Sequence, residues 1–319
     1  MIMKKMINTE HFEGRVYENK LELKTVKNQQ SENFGKEFIA GTLDVAVDEE
    51  GLNIISVHYT YVTETTKAGG KNKTYATLKN IIDNGKTWLA NGKDEATKVK
   101  LDPAIAINDF VGNDGNMVSV IQHEGGFAEI ISALNENEAA RNTFKTDIVI
   151  TNVTHVDADE EKHIPQDYTS LRGAAFNFRN ELIPIELHVK SAGGMKYFED
   201  QDVSGSNPLF TQVWGNVNSM VVKEPRVTEN AFGEAAVDMI ERKVKEMVVI
   251  GASKAPYDFG DEKVLTAEEL TTAMQNRETH LADVKKRNED YLAQKAAGAS
   301  AVSSAAAPAG GVKTGSFHF

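Results

Sequence analysis

Cysteine is absent from the 319 residues of this chain. That absence excludes disulfide bridges, cysteine-ligated zinc, iron–sulfur clusters and thiol nucleophiles, and it fits a reducing compartment. No apolar run approaches the ~18 residues that a membrane span needs. The first ten residues also lack the apolar stretch of a signal peptide. We therefore expect a cytoplasmic protein that makes no membrane contact.

Basic residues are few relative to acidic ones, because 35 Lys and Arg stand against 47 Asp and Glu and give a formal charge of −12. This balance argues against a protein that binds polyanions over its whole surface. It still allows a local basic groove, since charge is screened over about 8–10 Å near physiological salt.

The motifs of nucleotide and hydrolytic chemistry are missing as well. The sequence has no G-x-x-x-x-G-K-[ST], no G-x-G-x-x-G after a strand, no H-E-x-x-H and no G-x-S-x-G. Its eight histidines show no metal-ligand spacing. We predict a protein without catalysis, cofactor or metal. The acidic segments 157–161 and 258–263 leave a metal-dependent nuclease as a weaker alternative.

Composition and patterning divide the chain into four parts. These are a first β-rich domain (1–140), a second β-rich unit (141–225), a mixed segment (226–295) and a tail (296–319). The tail is almost entirely Ala, Gly and Ser, so it buries too little apolar surface to order itself and is expected to be disordered. Within 233–252, Val237, Met239 and Ile240 suit helix and strand periods equally, whereas 247–250 looks like a strand, and the fold of the whole segment stays open.

One amphipathic helix is predicted over 266–292. It begins with a capping box, in which Thr266 is followed three residues later by Glu269. Leu270, Met274 and Leu281 recur at helical spacing on one face. That apolar stripe suits packing on its own domain or on a second copy, so we expect a homo-oligomer.

Apolar and polar residues alternate with period two in both β-rich parts, which is typical of half-buried strands. Two hairpins are predicted, one from segments 41–48 and 53–62, the other from 171–179 and 182–190. Superimposing Gly173 on Gly41 brings Val189 over Val57 without a gap, and a Gly-Gly loop with a lysine and a tyrosine follows each hairpin. This order of features favours the duplication of one β unit.

A unit of about five short strands with an early glycine favours a closed barrel. Closure removes exposed strand edges, and a glycine inside a strand marks a bend. We predict a mainly β protein with a C-terminal helix, built from tandem OB-like five-stranded barrels. A two-sheet β-sandwich accounts for the strand count nearly as well.

The segment from Lys36 to Asp48, followed by Asn53 to Val62, resembles the early strands of OB-fold single-stranded DNA-binding proteins. It looks most like the divergent versions that phages and prophages encode. The resemblance extends over both β-rich parts. It implies non-catalytic binding of single-stranded DNA in replication or recombination, in the host cytoplasm if the protein is phage-encoded.

The tail departs from the bacterial members of that family, whose tails end in an acidic tip. Here the last residues are Phe317, His318 and Phe319. We predict Phe317 and Phe319 as partner-binding residues that could dock in an apolar pocket of a replication or recombination protein.

Sequence-tolerant binding of single strands needs aromatic faces that stack on bases and cations that follow phosphates. The segment Lys67–Lys73 contains three lysines and no acid, a local reversal of sign. Predicted nucleic-acid-binding residues of the first domain are Lys36, Tyr59, Tyr61, Lys67, Lys71, Lys73 and Tyr75. Those of the second unit are Arg172, Phe176, Arg179, Lys196, Tyr197 and Trp214, with Phe178 as a further ring.

Tyr75 and Tyr197 follow lysines in glycine-containing loops, so we expect both rings to be exposed.

The same sequence facts also allow a virion or assembly structural protein, since the chain is acidic and β-rich, lacks a catalytic set and carries a helix suited to association. Oligomeric state and the preference for DNA over RNA stay open.

Overall fold

The computed structural model describes residues 6–228, 236–259 and 264–303. The strands are β1 (Asn8–Thr25), β2 (Glu37–Ala46), β3 (Ile54–Thr63), β4 (Lys98–Val111), β5 (Met117–Ile130), β6 (Asn142–Val156), β7 (Tyr168–Phe176), β8 (Leu182–Val189), β9 (Leu209–Thr228) and β10 (Ala236–Ala252). The α-helices are α1 (Lys73–Asn84), α2 (Trp88–Asn91), α3 (Ala192–Glu199) and α4 (Ala267–Ser303). Among these described residues, no helix has the length and apolar character needed to cross a bilayer.

The first five strands close into a barrel in the order β1-β2-β3-β5-β4-β1. The barrel closes through a short parallel pairing of β3 with β5, at Val57 and His123. Helix α1 lies between the third and fourth strands and buries Leu78 and Ile81 in the barrel core. A five-stranded Greek-key barrel of this kind is the OB architecture.

Strands β6 to β10 repeat this arrangement in the order β6-β7-β8-β10-β9-β6. The closing pairing of β8 with β10 is again parallel, at Val189 and Val249, and α3 again lies between the third and fourth strands. The predicted fold class, mainly β with OB-like barrels and a C-terminal helix, is therefore confirmed. The fifth strand, β10, lies beyond the predicted boundary at residue 225 and contains most of the ambiguous segment 233–252.

Gly41 and Gly173 occupy equivalent places, where the second strand of each barrel crosses the first. A Cβ on Gly41 would lie 2.1 Å from the carbonyl oxygen of Lys20, and one on Gly173 would lie 2.1 Å from that of Val149. The gap-free alignment of the two hairpins is wrong, however. Gly41 pairs with a residue 18 positions on and Gly173 with one 12 positions on, so the second hairpin is six residues shorter.

The barrels are joined by antiparallel pairing of their first strands, from Asn8 opposite Thr146 to Phe12 opposite Asn142. Beside this seam lies the buried carboxylate of Asp147. It accepts hydrogen bonds from the Ile7 N–H at 2.7 Å, the Gln212 amide at 2.9 Å and the Tyr257 hydroxyl at 3.1 Å. A buried carboxylate needs such partners, and here they tie β1, β9 and the segment after β10 together.

Helix α4 begins as the sequence predicts. The Thr266 N–H donates to the Glu269 carboxylate at 2.8 Å, and the Glu269 N–H donates to the Thr266 hydroxyl at 3.2 Å, which confirms the capping box. The helix continues to Ser303, so residues 296–303 are helical rather than disordered. The predicted hook residues Phe317 and Phe319 lie outside the described residues.

Most of α4 belongs to a second compact unit, whose described residues are 109–120 and 275–303, whereas the rest of both barrels belongs to the first. Within this second unit, Arg277 donates to both carboxylate oxygens of Asp109 at 2.5 Å, and Ser119 donates at 2.6 Å. Burial alone would raise the pKa of Asp109, but these hydrogen bonds outweigh it and hold the pKa below its usual value. The bidentate pair fastens α4 to the β4–β5 hairpin.

Candidate nucleic-acid interface

A groove of about 870 Å³ runs between the two barrels. The first barrel contributes Thr9 and Thr60, from β1 and β3. The second barrel contributes Lys145 from β6 and the pair Phe178 and Arg179 from the turn between β7 and β8. Its walls are therefore built from both copies of the barrel, and they bring together residues that lie far apart in sequence.

A smaller pocket of about 280 Å³ adjoins this groove and shares Thr9 and Lys145 with it. Strand pairing explains the contact, because Thr9 stands opposite Lys145 and Lys145 stands opposite Trp214 on three neighbouring strands. Trp214 and Ile250 line the far side. We call the two pockets together the inter-barrel groove.

Trp214 lies flat against the neighbouring strand. A Cβ on Gly251 would meet indole atoms at 2.5 to 2.6 Å, so only glycine leaves room for the ring there. The side of the indole away from Gly251 stays accessible, and Trp214 is 37% exposed. A rigid ring with one open face is the kind of platform on which a nucleobase stacks.

The turn between β7 and β8 presents the second ring. The side-chain oxygen of Asn177 accepts the N–H groups of Arg179 and Glu181 at 2.9 and 3.0 Å, which fixes the turn. Phe178, at the tip of this turn, is 73% exposed. The Arg179 guanidinium lies 5.0 Å from the centroid of the Phe178 ring. A ring and a cation are thus held side by side at the groove wall.

Charge in the groove is mixed, because two acids and an ion-paired arginine line it beside Lys145. Glu124 accepts a hydrogen bond from Thr60 at 2.6 Å, and Glu10 pairs with His123 at 2.8 Å. Lys145 is exposed, and within the described part of the chain it has no ion-pair partner. Its charge is therefore available to a phosphate.

A second cationic surface, the lysine patch, lies at one end of the first barrel. It consists of Lys36, Tyr61, Lys67, Lys71 and Lys73, all exposed. The Tyr61 ring is 46% exposed and lies 4.7 Å from the ring of Phe38 on the paired strand. Among the residues that the structure describes, none forms an ion pair with any of these four lysines.

The loop that carries Lys67 and Lys71 is ordered by its own backbone. The Thr66 N–H donates to the Gly70 carbonyl at 2.8 Å, and the Asn72 N–H donates to the Glu64 carbonyl at 2.8 Å. Asn72 then caps α1 by accepting the Thr74 N–H at 3.1 Å. The predicted loop therefore ends at Asn72, and Lys73 is the first residue of the helix.

Three predicted stacking residues are buried, and the sequence interpretation of them is corrected. Tyr59 is 2% exposed and Phe176 is fully buried, because both point into a core. Tyr75 lies on the inner face of α1 rather than in an open loop. Burial raises the pKa of the Tyr59 and Tyr75 hydroxyls, consistent with their removal from water.

The second barrel's predicted cations outside the groove are already paired. Arg172 donates to Glu186 at 3.1 Å, and Lys196 on α3 donates to Asp200 at 2.8 Å. Tyr197 is half-buried, edge-on to the Phe198 ring at 4.9 Å. These three residues belong to the second barrel's own surface packing and do not line the inter-barrel groove.

Three of the predicted nucleic-acid-binding residues line the inter-barrel groove: Arg179, Trp214 and Phe178. Lys145 was missed, although it is a lone cation between the buried residues Phe144 and Thr146 and so had to point outward. The described residues contain no group of three His, Asp or Glu side chains able to hold an ion, and residues 260–263 of the second acidic segment lie outside them. Asp159, for example, is bonded to Lys162 at 2.7 Å.

Comparison with solved structures finds distant similarities, among them the following two. A deletion mutant of the single-stranded DNA binding protein from Thermus aquaticus aligns over 82% of this chain and 100% of its own, at 10% identity and a TM-score of 0.44. A replication protein A heterotrimer bound to ssDNA aligns over 84% of this chain and 69% of its own, at 12% identity and a TM-score of 0.17. No curated protein matches the sequence. The family model named YorF matches residues 7–287, and the chain therefore belongs to the YorF family.

Proposed function

We propose that this protein binds single-stranded DNA in the inter-barrel groove, without catalysis, and that it does so in DNA replication or recombination. One observation carries the proposal. Two accessible rings, Phe178 and Trp214, line two adjoining pockets that share Lys145, which has no ion-pair partner among the described residues. Aromatic faces beside cations, with no elaborate polar pocket, suit a ligand that offers bases and phosphates in alternation.

The mechanism divides the work between two kinds of contact. Each ring contributes about 1–3 kcal/mol by stacking on a base of any sequence. Lys145 neutralises a phosphate and releases counterions, so affinity falls as salt rises. Because the whole chain is strongly acidic, the attraction is confined to the groove and the lysine patch, and duplex DNA, whose bases are covered, gains little from the rings.

Fluorescence of Trp214 tests the proposal directly. The chain has two tryptophans, and Trp88 packs near the Tyr17 ring, away from the groove, so a Trp88→Phe protein reports on Trp214 alone. Titration with oligo(dT) of about 30 nucleotides should quench that signal saturably, at micromolar protein or below and more weakly at higher salt. Oligo(rU) of equal length then measures the preference for DNA over RNA.

A matched pair of variants ties the binding to the groove. Phe178→Ala should weaken binding about tenfold, as expected for the loss of one stacked ring. Phe127 is exposed to the same extent but does not line the groove, so Phe127→Ala should bind as the parent does. A flat titration of the parent protein, or equal losses in the two variants, would overturn the proposal.

An assembly role is the second candidate, and one observation favours it. Tyr291 and Leu292 are exposed on α4, at 61% and 53%, and a self-associating helix would cover them. We propose homo-oligomerisation through this part of α4. Sedimentation of the protein and of a Tyr291→Ser/Leu292→Ser variant distinguishes an oligomer, which the variant would dissociate, from a monomer.

A further inference from the structure

The hairpin of β9 and β10 is longer than the second barrel needs. Its outer part, residues 219–228 and 236–245, which we call the arm, reaches the first barrel. The Val221 N–H donates to the Leu52 carbonyl at 2.8 Å, and the Ser219 N–H donates to the Asn53 side chain at 2.9 Å. The arm is therefore fixed to the turn between β2 and β3 by one backbone–backbone hydrogen bond and one bond to the Asn53 side chain.

The register of the arm decides which side chains face the first barrel. Lys245 stands opposite Ser219 and Lys243 stands opposite Val221, so both lysines share one face of the hairpin. Lys243 interacts electrostatically with Asp44 of β2, and Lys245 does so with His58 of β3. The two lysines of the second barrel therefore lie over the outer face of the first barrel's β2–β3 hairpin.

Asp44, the one acid among the groups that act on Lys243, forms no ion pair with either lysine. Asp44 is already engaged by Lys20 of β1, whose ammonium lies 3.1 Å from one carboxylate oxygen and also contacts Glu18. Within the described residues neither Lys243 nor Lys245 has an ion-pair partner. Burial, and then the charge of Lys245, lower the pKa of Lys243, as expected for a cation that is partly removed from water beside another cation.

We infer that Lys243 and Lys245 form a phosphate-binding site, where the arm of the second barrel holds a single strand against the β2–β3 face of the first. The inference rests on the proposed function and extends it, because it adds a contact outside the inter-barrel groove. Two uncompensated ammonium groups on a rigid support would gain a counter-ion from a phosphate without rearrangement. A strand long enough to leave the groove would then be gripped at two places.

The test compares Lys243→Gln/Lys245→Gln with Lys285→Gln/Lys286→Gln, a matched change of charge at exposed positions of α4. Binding of oligo(dT) of about 30 nucleotides is measured over a salt series by anisotropy. The arm variant should lose about tenfold in affinity at low salt, and its log–log salt slope should be shallower by about 1.4, since each phosphate contact on a single strand contributes about 0.7. The α4 variant should keep the parent slope.

A series of shorter oligonucleotides sharpens the result. Once the strand is too short to leave the groove, the arm variant and the parent should bind equally. Equal slopes for the arm and α4 variants, with Phe178→Ala still weakened, would overturn this inference alone. Absence of binding by the parent protein would overturn the proposed function itself.

Discussion

The lysine patch of the first barrel has no ion-pair partners among the described residues, whereas the predicted cations on the outer surface of the second barrel, Arg172 and Lys196, are paired with carboxylates. Lys67, Lys71 and Lys73 have no ion-pair partner in the described part of the chain. In the second barrel, Arg172 pairs with Glu186, and Lys190 pairs with Glu246 at 2.7 Å. The two barrels share one strand order but differ in the pairing of these surface cations.

The difference assigns separate contributions to the two barrels. Phe178 and Trp214, the rings of the inter-barrel groove, both come from the second barrel. The uncompensated lysines of the lysine patch come from the first. A repeated fold thus does not imply a repeated site, and the groove between the barrels needs both of them.

The largest expected effect comes from the two glycines that let each barrel coil. Gly41→Ala and Gly173→Ala each place a Cβ about 2 Å from a backbone oxygen that cannot move without breaking the strand pairing. We expect each variant to lose at least about 3 kcal/mol of unfolding free energy. Gly41 should lose more, because its φ of +132° is also unfavourable for alanine. Chemical denaturation measures both.

Gly193→Ala is the control for this pair. Gly193 lies in helix α3, where an added Cβ would meet no other atom within 4 Å, so alanine should be neutral or slightly stabilising there. If Gly173→Ala unfolded at the same denaturant concentration as the parent, Gly41 and Gly173 would not have equivalent roles in the two barrels.

Acid should affect each barrel through one carboxylate. The pKa of Glu246 is lowered to about 2, first of all by the hydrogen bond from His188 and then by those from Lys190 and Asn218. Burial opposes this shift. The stabilising contribution of Glu246 is therefore present above the unfolded pKa near 4.5 and is lost as the pH falls towards 2. Glu246→Gln should cost about 2 kcal/mol at pH 7 and much less near pH 3. Denaturation at both pH values measures this.

Glu49 provides the matching measurement in the first barrel. Hydrogen bonds from Lys93 and Arg141 foremost, and also from Arg15, lower its pKa to about 2 as well. Its side chain is more exposed than that of Glu246, so Glu49→Gln should lose less stability over the same pH window. A loss in either variant that did not depend on pH would show that packing, rather than charge, sets the difference.

Much of the fold could be predicted from local signals. The alternation in both hairpins, the two strand glycines and the capping box each act over a few residues, and each is present in the structure. The last strand of the second barrel was harder, because Val237, Met239 and Ile240 suit either period. Its identity as β10 depends on pairing with β9 and β8, which no local pattern records.

The site was predicted less well because exposure depends on where an element ends. Tyr59 continues the alternation of the buried Ile55 and Val57, so its parity already indicated the core. Tyr61 has the same parity but lies at the exposed end of β3. Phe176 and Phe178 differ in the same way, since Phe178 lies just past the end of β7 in the turn.

Helix boundaries explain the remaining error. The glycine loop before Tyr75 predicted exposure, yet the side chain of Asn72 ends that loop by capping α1. Tyr75 then lies on the helix face that contacts the core. The groove itself could not be predicted, because Lys145 and Trp214 become neighbours only when β6 pairs with β9.

The smallest predicted effect tests the charge difference itself. Lys67→Gln/Lys71→Gln removes two uncompensated cations of the lysine patch, and Arg172→Gln/Lys196→Gln removes two paired ones. Both double variants change the net charge equally, so the long-range repulsion of DNA is matched.

If single-stranded DNA also contacts the lysine patch, the first variant should weaken oligo(dT) binding about three- to tenfold at low salt and flatten the salt slope. The second should bind as the parent does, because a paired cation has no charge to spare for a phosphate. Anisotropy over a salt series measures both, and equal losses would mean that pairing on the second barrel does not decide which surface DNA contacts.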